Sequence, residues 1–158
     1  KGRGRLMLLG DQVYLRLMEE RDIPYKVKWI NDPEVRATLN FEYPISEVAT
    51  KQWLNKVSLD SSRKDFIICL KENDEPIGYA GFINIDSKAM KAEMYAGIGD
   101  INYWGKGLAQ EVRRIQLEYG FKELGLNKIY TYQKLQSIYS ASKENIWSTK
   151  SKSSRSRI

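Results

Sequence analysis

Two glycines flank a lysine in the segment NYWGKGLAQE (residues 102–111), directly before a helix-forming run. The first backbone N–H groups of a helix have no internal acceptor, and the helix dipole places about half a positive charge there. Glycine also lets a backbone approach a phosphate closely, because it has no Cβ. With Gly105 and Gly107 at this position, we expect a loop able to bind an anion. A tight strand-to-helix turn without a ligand is the alternative.

The spacing of this loop matches neither of the two common nucleotide-binding loops. A loop of the Walker type requires Ser or Thr after the lysine, whereas Gly107 follows Lys106. A dinucleotide-binding loop requires a third glycine where Gln110 stands. A phosphate bound here would therefore belong to another class of ligand.

The chain of 158 residues has no histidine and a single cysteine, Cys69, inside the apolar run FIICL. This composition excludes serine–histidine and cysteine–histidine catalytic pairs and most zinc sites, and we expect no metal. We expect Cys69 to be a buried, inert strand residue. Any proton transfer must use Asp, Glu, Tyr, Lys, Cys or water.

The formal net charge of +6 comes from the two ends of the chain. Seven of the 26 basic residues lie there: Lys1, Arg3, Arg5, Lys150, Lys152, Arg155 and Arg157. The other 19 stand against 20 acidic residues, so the body is nearly neutral and we expect no specific nucleic-acid partner. No apolar run approaches the roughly 18 residues of a membrane span, and no signal peptide is recognisable. We therefore expect a cytoplasmic protein without a membrane partner.

Hydrophobic periodicity places the loop in a mixed α/β layer. Strands are predicted at 13–18, 64–72, 76–86, 92–99 and 127–132, and helices at 22–31, 46–57 and 108–124. Their order indicates an antiparallel meander followed by a strand–helix–strand crossover. The glycine loop thus lies between a strand that ends in Gly97-Ile98-Gly99 and the N-terminus of the last helix.

The segment YWGKGLA, the amphipathic helix after it and the strand LGLNKIY together resemble the acetyl-coenzyme A motif of the GNAT superfamily of N-acetyltransferases. In the family pattern Gln/Arg-x-x-Gly-x-Gly/Ala, Gly107 and Ala109 match the last two fixed positions and Trp104 stands at the first. The segments ERD, WINDPEV and EPIGYAGF extend the resemblance, which runs from Val13 to Tyr132. The chain is most similar to the branch of ribosomal-protein N-terminal and polyamine acetyltransferases. The resemblance implies a central mixed sheet flanked by helices.

The resemblance also implies acetyl-coenzyme A as co-substrate, bound mainly by backbone groups and beside Trp104. The pyrophosphate would be held by the N–H groups of Gly105, Lys106, Gly107, Leu108, Ala109 and Gln110. Gly97, Ile98 and Gly99 would pair with the pantetheine arm as an added strand. An N–H such as that of Ile98 would polarise the thioester carbonyl. The Lys106 ammonium either adds charge near the phosphates or stays in solvent.

The acceptor amine must be neutral when it attacks, and Glu93 is the candidate base. A solvated or salt-bridged strand glutamate is the alternative. Tyr95 lies two residues further on, on the same strand face, and is a candidate helper. Acceptor contacts are expected from residues 31–43. The candidates there are Glu34, Asn40, Phe41, Glu42 and Tyr43, with ordinary loop packing as the alternative.

The resemblance stops near Tyr132, because the asparagine, tyrosine and Gly-Phe pattern that closes the family domain does not follow. Tyr139 is the candidate acid for the leaving thiolate. We expect the C-terminal strands to be truncated or replaced, with an uncovered sheet edge that favours a homodimer. A frameshift and a natural divergent end both remain open. The predicted domain covers 7–146, with a basic leader or tail at 1–6 and a low-complexity basic tail at 147–158.

The resemblance therefore implies an acetyl-CoA-dependent N-acetyltransferase that acts on a primary amine. The acceptor would be a polyamine, a protein N-terminus, an amino sugar or an aminoglycoside. One alternative is a CoA-binding protein with weak or no catalysis, because the terminal motif is lost. The other is a basic-tailed interaction or nucleic-acid protein.

Overall fold

A computed structural model describes the backbone of residues 6–37, 44–132, 135–141 and 146–153, and the side chains of those up to residue 131 together with Tyr139. Its eight strands form one sheet in sequence order. They are β1 Met7–Leu9, β2 Val13–Leu17, β3 Lys64–Leu70, β4 Pro76–Asp86, β5 Lys91–Ile98, β6 Lys128–Tyr132, β7 Leu135–Ala141 and β8 Ile146–Ser153. The β5–β6 pair is parallel, and the other described pairs are antiparallel. The predicted meander and crossover are confirmed.

The helices begin and end at residues that the sequence marks. They are α1 Ile23–Asn31, α2 Pro33–Arg36, α3 Glu47–Val57 and α4 Leu108–Glu118, with α4 continued by a π-helical turn at 119–123. The Asp32 carboxylate accepts the Glu34 N–H at the start of α2, and the Ser46 hydroxyl accepts the Ala49 N–H at the start of α3. Gly125, predicted to end the last helix, has a left-handed φ of +71° just after the π-helical turn.

The sheet buries both of its faces, so the chain has two apolar cores. On one face α4 packs against residues such as Val13, Phe66 and Phe82. On the other face α1 and α3 pack against residues that include Ile67 and Cys69. Cys69 is therefore a core residue, as predicted, and burial raises the pKa of its thiol. No helix among the described residues is long and apolar enough to cross a membrane.

Strands at both ends of the sheet were not predicted. The expected replacement of the C-terminal strands takes the form of two further strands, since β7 pairs with β6 and β8 pairs with β7. The physical reason is that a sheet edge offers backbone N–H and C=O groups to any strand-forming segment, whether or not the family motif is present. The β8 strand also crosses the boundary predicted between the domain and the tail at 146/147. At the other end, β1 pairs with β2.

Candidate active site

The candidate site lies where the short parallel pairing of β5 with β6 ends. This pairing joins Lys91–Glu93 to Lys128–Tyr130, whereas β5 continues to Ile98. On its other side, β5 stays paired with β4 as far as Ile98 opposite Gly78. The second half of β5 and the loop before α4 therefore lie at the carboxyl ends of two parallel strands, where α/β sheets commonly bind ligands.

Gly97 and Gly99 at the end of β5 make room for aromatic rings. A Cβ at Gly97 would lie 2.7 Å from the Tyr79 hydroxyl oxygen, and one at Gly99 would overlap the Trp29 ring. The Gly99 N–H donates to the Ile77 carbonyl at 2.8 Å, so this amide already has a partner inside the protein. Both glycines, which were predicted to approach a ligand, are thus needed for packing against these rings. The Gly99 N–H donates inside the protein, so it does not donate to a pantetheine arm.

Trp104 shapes the loop between β5 and α4. Its indole N–H donates to the Ile98 carbonyl at 2.7 Å, while 40% of the side chain is exposed. Before it, the Asp100 carboxylate accepts the Asn102 N–H at 3.0 Å and caps a short 3-10 turn. The residue at the variable first position of the motif therefore ties the loop to the end of the strand.

Gly105 and Gly107 are required by backbone conformation. Their φ angles are +74° and +78°, in the left-handed region that favours glycine. A Cβ at either would meet nothing within 4 Å, so the loop borders open space. Lys106 between them is exposed. Gly107 precedes α4 and has no side chain to cap it, which leaves the first N–H groups of the helix, starting at Leu108, to an outside acceptor.

The rest of the first turn of α4 divides into an exposed and a buried part. Ala109 and Gln110 are exposed, whereas Leu108 and Glu111 are buried. The Glu111 carboxylate accepts backbone N–H groups of the turn between β1 and β2: those of Asp11 at 2.5 Å, Gln12 at 2.8 Å and Val13 at 3.3 Å. Sequence reasoning missed this contact, although an acidic residue in the first turn of a helix is known to interact favourably with N–H groups near the helix N-terminus. The contact anchors the helix that carries the loop.

Glu93 and Tyr95 share the α1/α3 face of β5, as predicted. The half-buried Glu93 accepts a hydrogen bond from the Asn84 amide at 3.3 Å. The Tyr95 hydroxyl donates to the Asp65 carboxylate, and its ring crosses the position where Gly81 lacks a Cβ. Burial, and then the Asp65 charge, raise the pKa of Tyr95 well above its usual range. Tyr95 is therefore a neutral hydrogen-bond donor, not a base.

Tyr139 lies away from this pair. It pairs with Ile129 in the sheet register and is 9% exposed within the core on the α4 face. Glu93 pairs with Tyr130, the next residue along β6, whose side chain points to the opposite face. The structure therefore does not bring the predicted acid together with the predicted base.

Only part of the predicted acceptor segment belongs to the described residues. Glu34 is exposed on α2. The Asn31 side-chain amide forms two hydrogen bonds with the backbone of Ile45, at 2.9 and 3.0 Å, and so fixes the start of α3 to the end of α1. The remaining candidates, Asn40, Phe41, Glu42 and Tyr43, lie outside the described residues.

Sequence reasoning also missed a partly buried charge cluster on the α1/α3 face. Arg63 donates two hydrogen bonds to Asp65, at 2.8 and 2.9 Å. The Lys26 ammonium lies 3.7 Å from the centre of the Trp53 ring. Burial lowers the pKa of Lys26 to about 8; Asp65 partly offsets this and Arg63 adds to it. These residues come from α1, α3, β3 and the position just before β3, so their spacing in the sequence carries no signal.

Comparison with known proteins defines the family. Residues 12–140 match the acetyltransferase (GNAT) domain model, which extends beyond Tyr132. The chain is 36% identical over 126 residues to the uncharacterized N-acetyltransferase p20 of Bacillus licheniformis, covering 77% of this chain and 70% of that protein. It is similar to the Vibrio cholerae spermidine N-acetyltransferase solved in complex with CoA and spermine, at 26% identity and a TM-score of 0.69, over 81% of this chain and 72% of that one. It is also similar to a dodecameric structure of that enzyme in an intermediate state, at 25% identity and a TM-score of 0.64, over 76% and 68% of the two chains.

The chain belongs to the GNAT acetyltransferase family. The predicted fold class is confirmed, as is the expected activity of an N-acetyltransferase. Acetyl-CoA is the acetyl donor of this family. The loop fits the diphosphate of such a donor, because it combines left-handed glycines, open space and uncapped helix N–H groups in one place.

Proposed function

We propose that this acetyltransferase binds the diphosphate of acetyl-CoA on the backbone of residues 105–110 and acetylates a primary amine beside Glu93. The observation that carries the proposal is the pair of left-handed glycines that border open space directly before α4. Binding through backbone N–H groups and the helix dipole needs few side chains. This agrees with the exposed position of Lys106, the one basic side chain of the loop.

Acetyl-CoA supplies the acetyl group as a thioester, and the amine attacks its carbonyl carbon directly. The C–N bond forms as the C–S bond breaks, and the released CoA thiolate takes its proton from solvent. Glu93 accepts the proton of the attacking amine, and the Asn84 amide orients its carboxylate. The Ile98 N–H is the candidate donor to the thioester carbonyl. Tyr95 holds its proton in the hydrogen bond to Asp65, so we assign it a positioning role.

Replacement of the base tests this mechanism. A positioned general base contributes about 10²–10⁴ in rate, so Glu93→Gln should lower kcat/KM by a factor in this range near pH 7. The loss should shrink at high pH, where the free amine is already neutral. Glu118→Gln, on an exposed glutamate paired with Lys122 at 3.3 Å, is the matched control. The measurement is thiol release under saturating acetyl-CoA; a pH-independent loss would argue against Glu93 as base.

A second candidate function is CoA binding with little turnover. It is supported by the position of Tyr139, which lies in the core on the face opposite Glu93. Calorimetric titration with acetyl-CoA, followed by thiol release with polyamines, amino sugars, aminoglycosides and N-terminal peptides, distinguishes the two functions. Tight binding without release from any acceptor would favour the second candidate.

We also propose a bacterial, cytoplasmic enzyme that associates with itself. The support comes from the similar proteins of Bacillus licheniformis and Vibrio cholerae, one of them dodecameric. The described sheet exposes β8 as its edge strand. Sedimentation velocity at several concentrations tests the association, and a single monomeric mass would contradict it.

A further inference from the structure

The charge cluster on the α1/α3 face consists of the buried Lys26 and the partly buried Arg63 and Asp65, so its described members carry more positive than negative charge. Asp65 already accepts two hydrogen bonds from Arg63 and one from Tyr95. Lys26 is 9% exposed, and no carboxylate in the described part of the chain lies within ion-pair distance of its ammonium. With Lys26 protonated, the two cations and one carboxylate that the structure describes here leave one positive charge without a described counter-charge.

An uncompensated buried cation is unfavourable unless a partner arrives. The Trp53 ring supplies a partial one, because both Lys26 and Arg63 lie near it, at 3.7 and 5.5 Å from its centre. Burial lowers the pKa of Lys26, and the nearby Arg63 charge lowers it further, while Asp65 offsets part of this. A bound anion would remove the deficit of negative charge and keep Lys26 charged.

The cluster is connected to the reacting centre through Tyr95. This side chain starts on β5, two residues from Glu93, crosses β4 at Gly81 and reaches Asp65 on β3. Neighbouring strands lie about 4.8 Å apart, so Asp65 is roughly 10 Å from the backbone of β5. Tyr95 thus joins the strand that carries Glu93 to the strand that carries Asp65, on the sheet face that α1 and α3 cover.

We propose that Lys26, beside Arg63 and Trp53, binds a carboxylate of the acceptor, so that the enzyme selects elongated amines that carry a carboxylate at the end opposite the amino group. This rests on the proposed function of Glu93. One uncompensated charge matches a carboxylate better than a doubly charged phosphate. A polyamine would add positive charge to the cluster, so it should be a poor acceptor here.

Matched acceptors test the assignment. 6-Aminohexanoate and 8-aminooctanoate are compared with their carboxamides and with spermidine, under saturating acetyl-CoA. The wild-type enzyme should show a kcat/KM at least about 10-fold higher for an acid than for its amide, since a hydrogen bond to a charged group is involved. Equal values for acid and amide, or a preference for spermidine, would overturn the proposal. This comparison requires no variant.

Variants locate the effect. Lys26→Met keeps the side chain packed on Trp53 but removes the charge, and should raise KM for the acids about 10-fold or more while leaving the amides within about twofold. Lys26→Arg should retain the acid preference. Lys51→Met, on an exposed lysine of α3 paired with Glu20 at 2.9 Å, is the control and should change nothing. An equal loss for acid and amide in Lys26→Met would contradict carboxylate binding.

Calorimetric binding of the acids to the CoA-saturated protein separates the two proposals. Turnover of amines without a Lys26-dependent acid preference would refute the carboxylate site and leave the proposed function intact. Lys26-dependent binding of the acids without turnover would refute the proposed function and support the site. Absence of both would refute both.

Discussion

Replacing Gly107 with alanine tests whether the left-handed backbone before α4 holds the coenzyme. Gly107 has a φ of +78°, and a Cβ there meets nothing within 4 Å. The substitution therefore adds conformational strain without steric overlap, roughly 1–2 kcal/mol for an L-residue. Because the surroundings are open, we expect the loop of the free protein to relax, so that binding must restore the strained conformation. The Kd for CoA should then rise about 5- to 30-fold.

Gly125→Ala is the matched control. Gly125 has a φ of +71° but lies beyond the other end of α4. Hydrogen bonds from Leu126 N–H to the Gly120 carbonyl (3.0 Å) and from Asn127 N–H to the Met90 carbonyl (2.7 Å) hold this turn in place. The same strain should therefore lower Tm, by about 2–8 °C for a chain of this size, and leave CoA binding unchanged.

Calorimetric titration with CoA and differential scanning calorimetry on the wild type and both variants give the two quantities. An unchanged Kd in Gly107→Ala would refute the reasoning, because the left-handed loop would then not be what binds the coenzyme. Equal losses of affinity in Gly107→Ala and Gly125→Ala would also refute it, since the effect would be global. A loss of affinity well above about 30-fold would indicate that the new methyl group also collides with bound CoA.

Three further predictions concern single side chains. Glu111→Gln should lower the free energy of unfolding in urea by about 1–3 kcal/mol, because the carboxylate accepts three backbone N–H groups, whereas the exposed control Glu118→Gln should change it by less than about 0.5 kcal/mol. The pKa of Lys26 is lowered to about 8, so the unfolded chain binds more protons than the folded chain between pH 8 and 10.5. The free energy of unfolding of the wild type should therefore rise relative to that of Lys26→Met as pH rises through this interval. A difference between the two proteins that stays constant with pH would contradict the burial of Lys26. Trp104→Phe removes the indole donor to the Ile98 carbonyl and should weaken CoA binding about 2- to 10-fold; titration giving an unchanged Kd would mean that this bond does not shape the loop.

The elements around the loop could be predicted because their signals are local. Apolar and polar residues alternate along the strands of the meander, and apolar residues form one stripe along α4. Both patterns show directly which residues are buried. The glycine loop was recognisable for the same reason, since Gly105 and Gly107 are needed for their own φ angles. Strands β7 and β8 were missed because weight was given to the absent family motif, whereas their pairing depends on backbone groups at a sheet edge.

The side chains of the site could be predicted less well. Glu93 and Tyr95 were placed on one face by the period of a strand, and the structure agrees. Gly97 and Gly99 are needed for packing against Tyr79 and Trp29, which the sequence could not show, because a missing Cβ looks the same in sequence whether a ligand or a ring fills the space. Their contact with a ligand stays a prediction. Tyr139 was a plausible acid by residue type alone, and its register partner Ile129 places it in the core.

The amino-acid sequence by itself determined the family, the order of most elements, the glycine loop before α4 and the exclusion of histidine chemistry, because each depends on residue types and short spacings. Only the tertiary structure decided that Tyr95 crosses Gly81 to reach Asp65 and that Lys26 is buried without a carboxylate partner among the described residues. Burial, charge balance and pKa depend on which distant segments pack together. These segments come from α1, α3 and three strands, so their contacts follow from the completed fold and not from any local pattern.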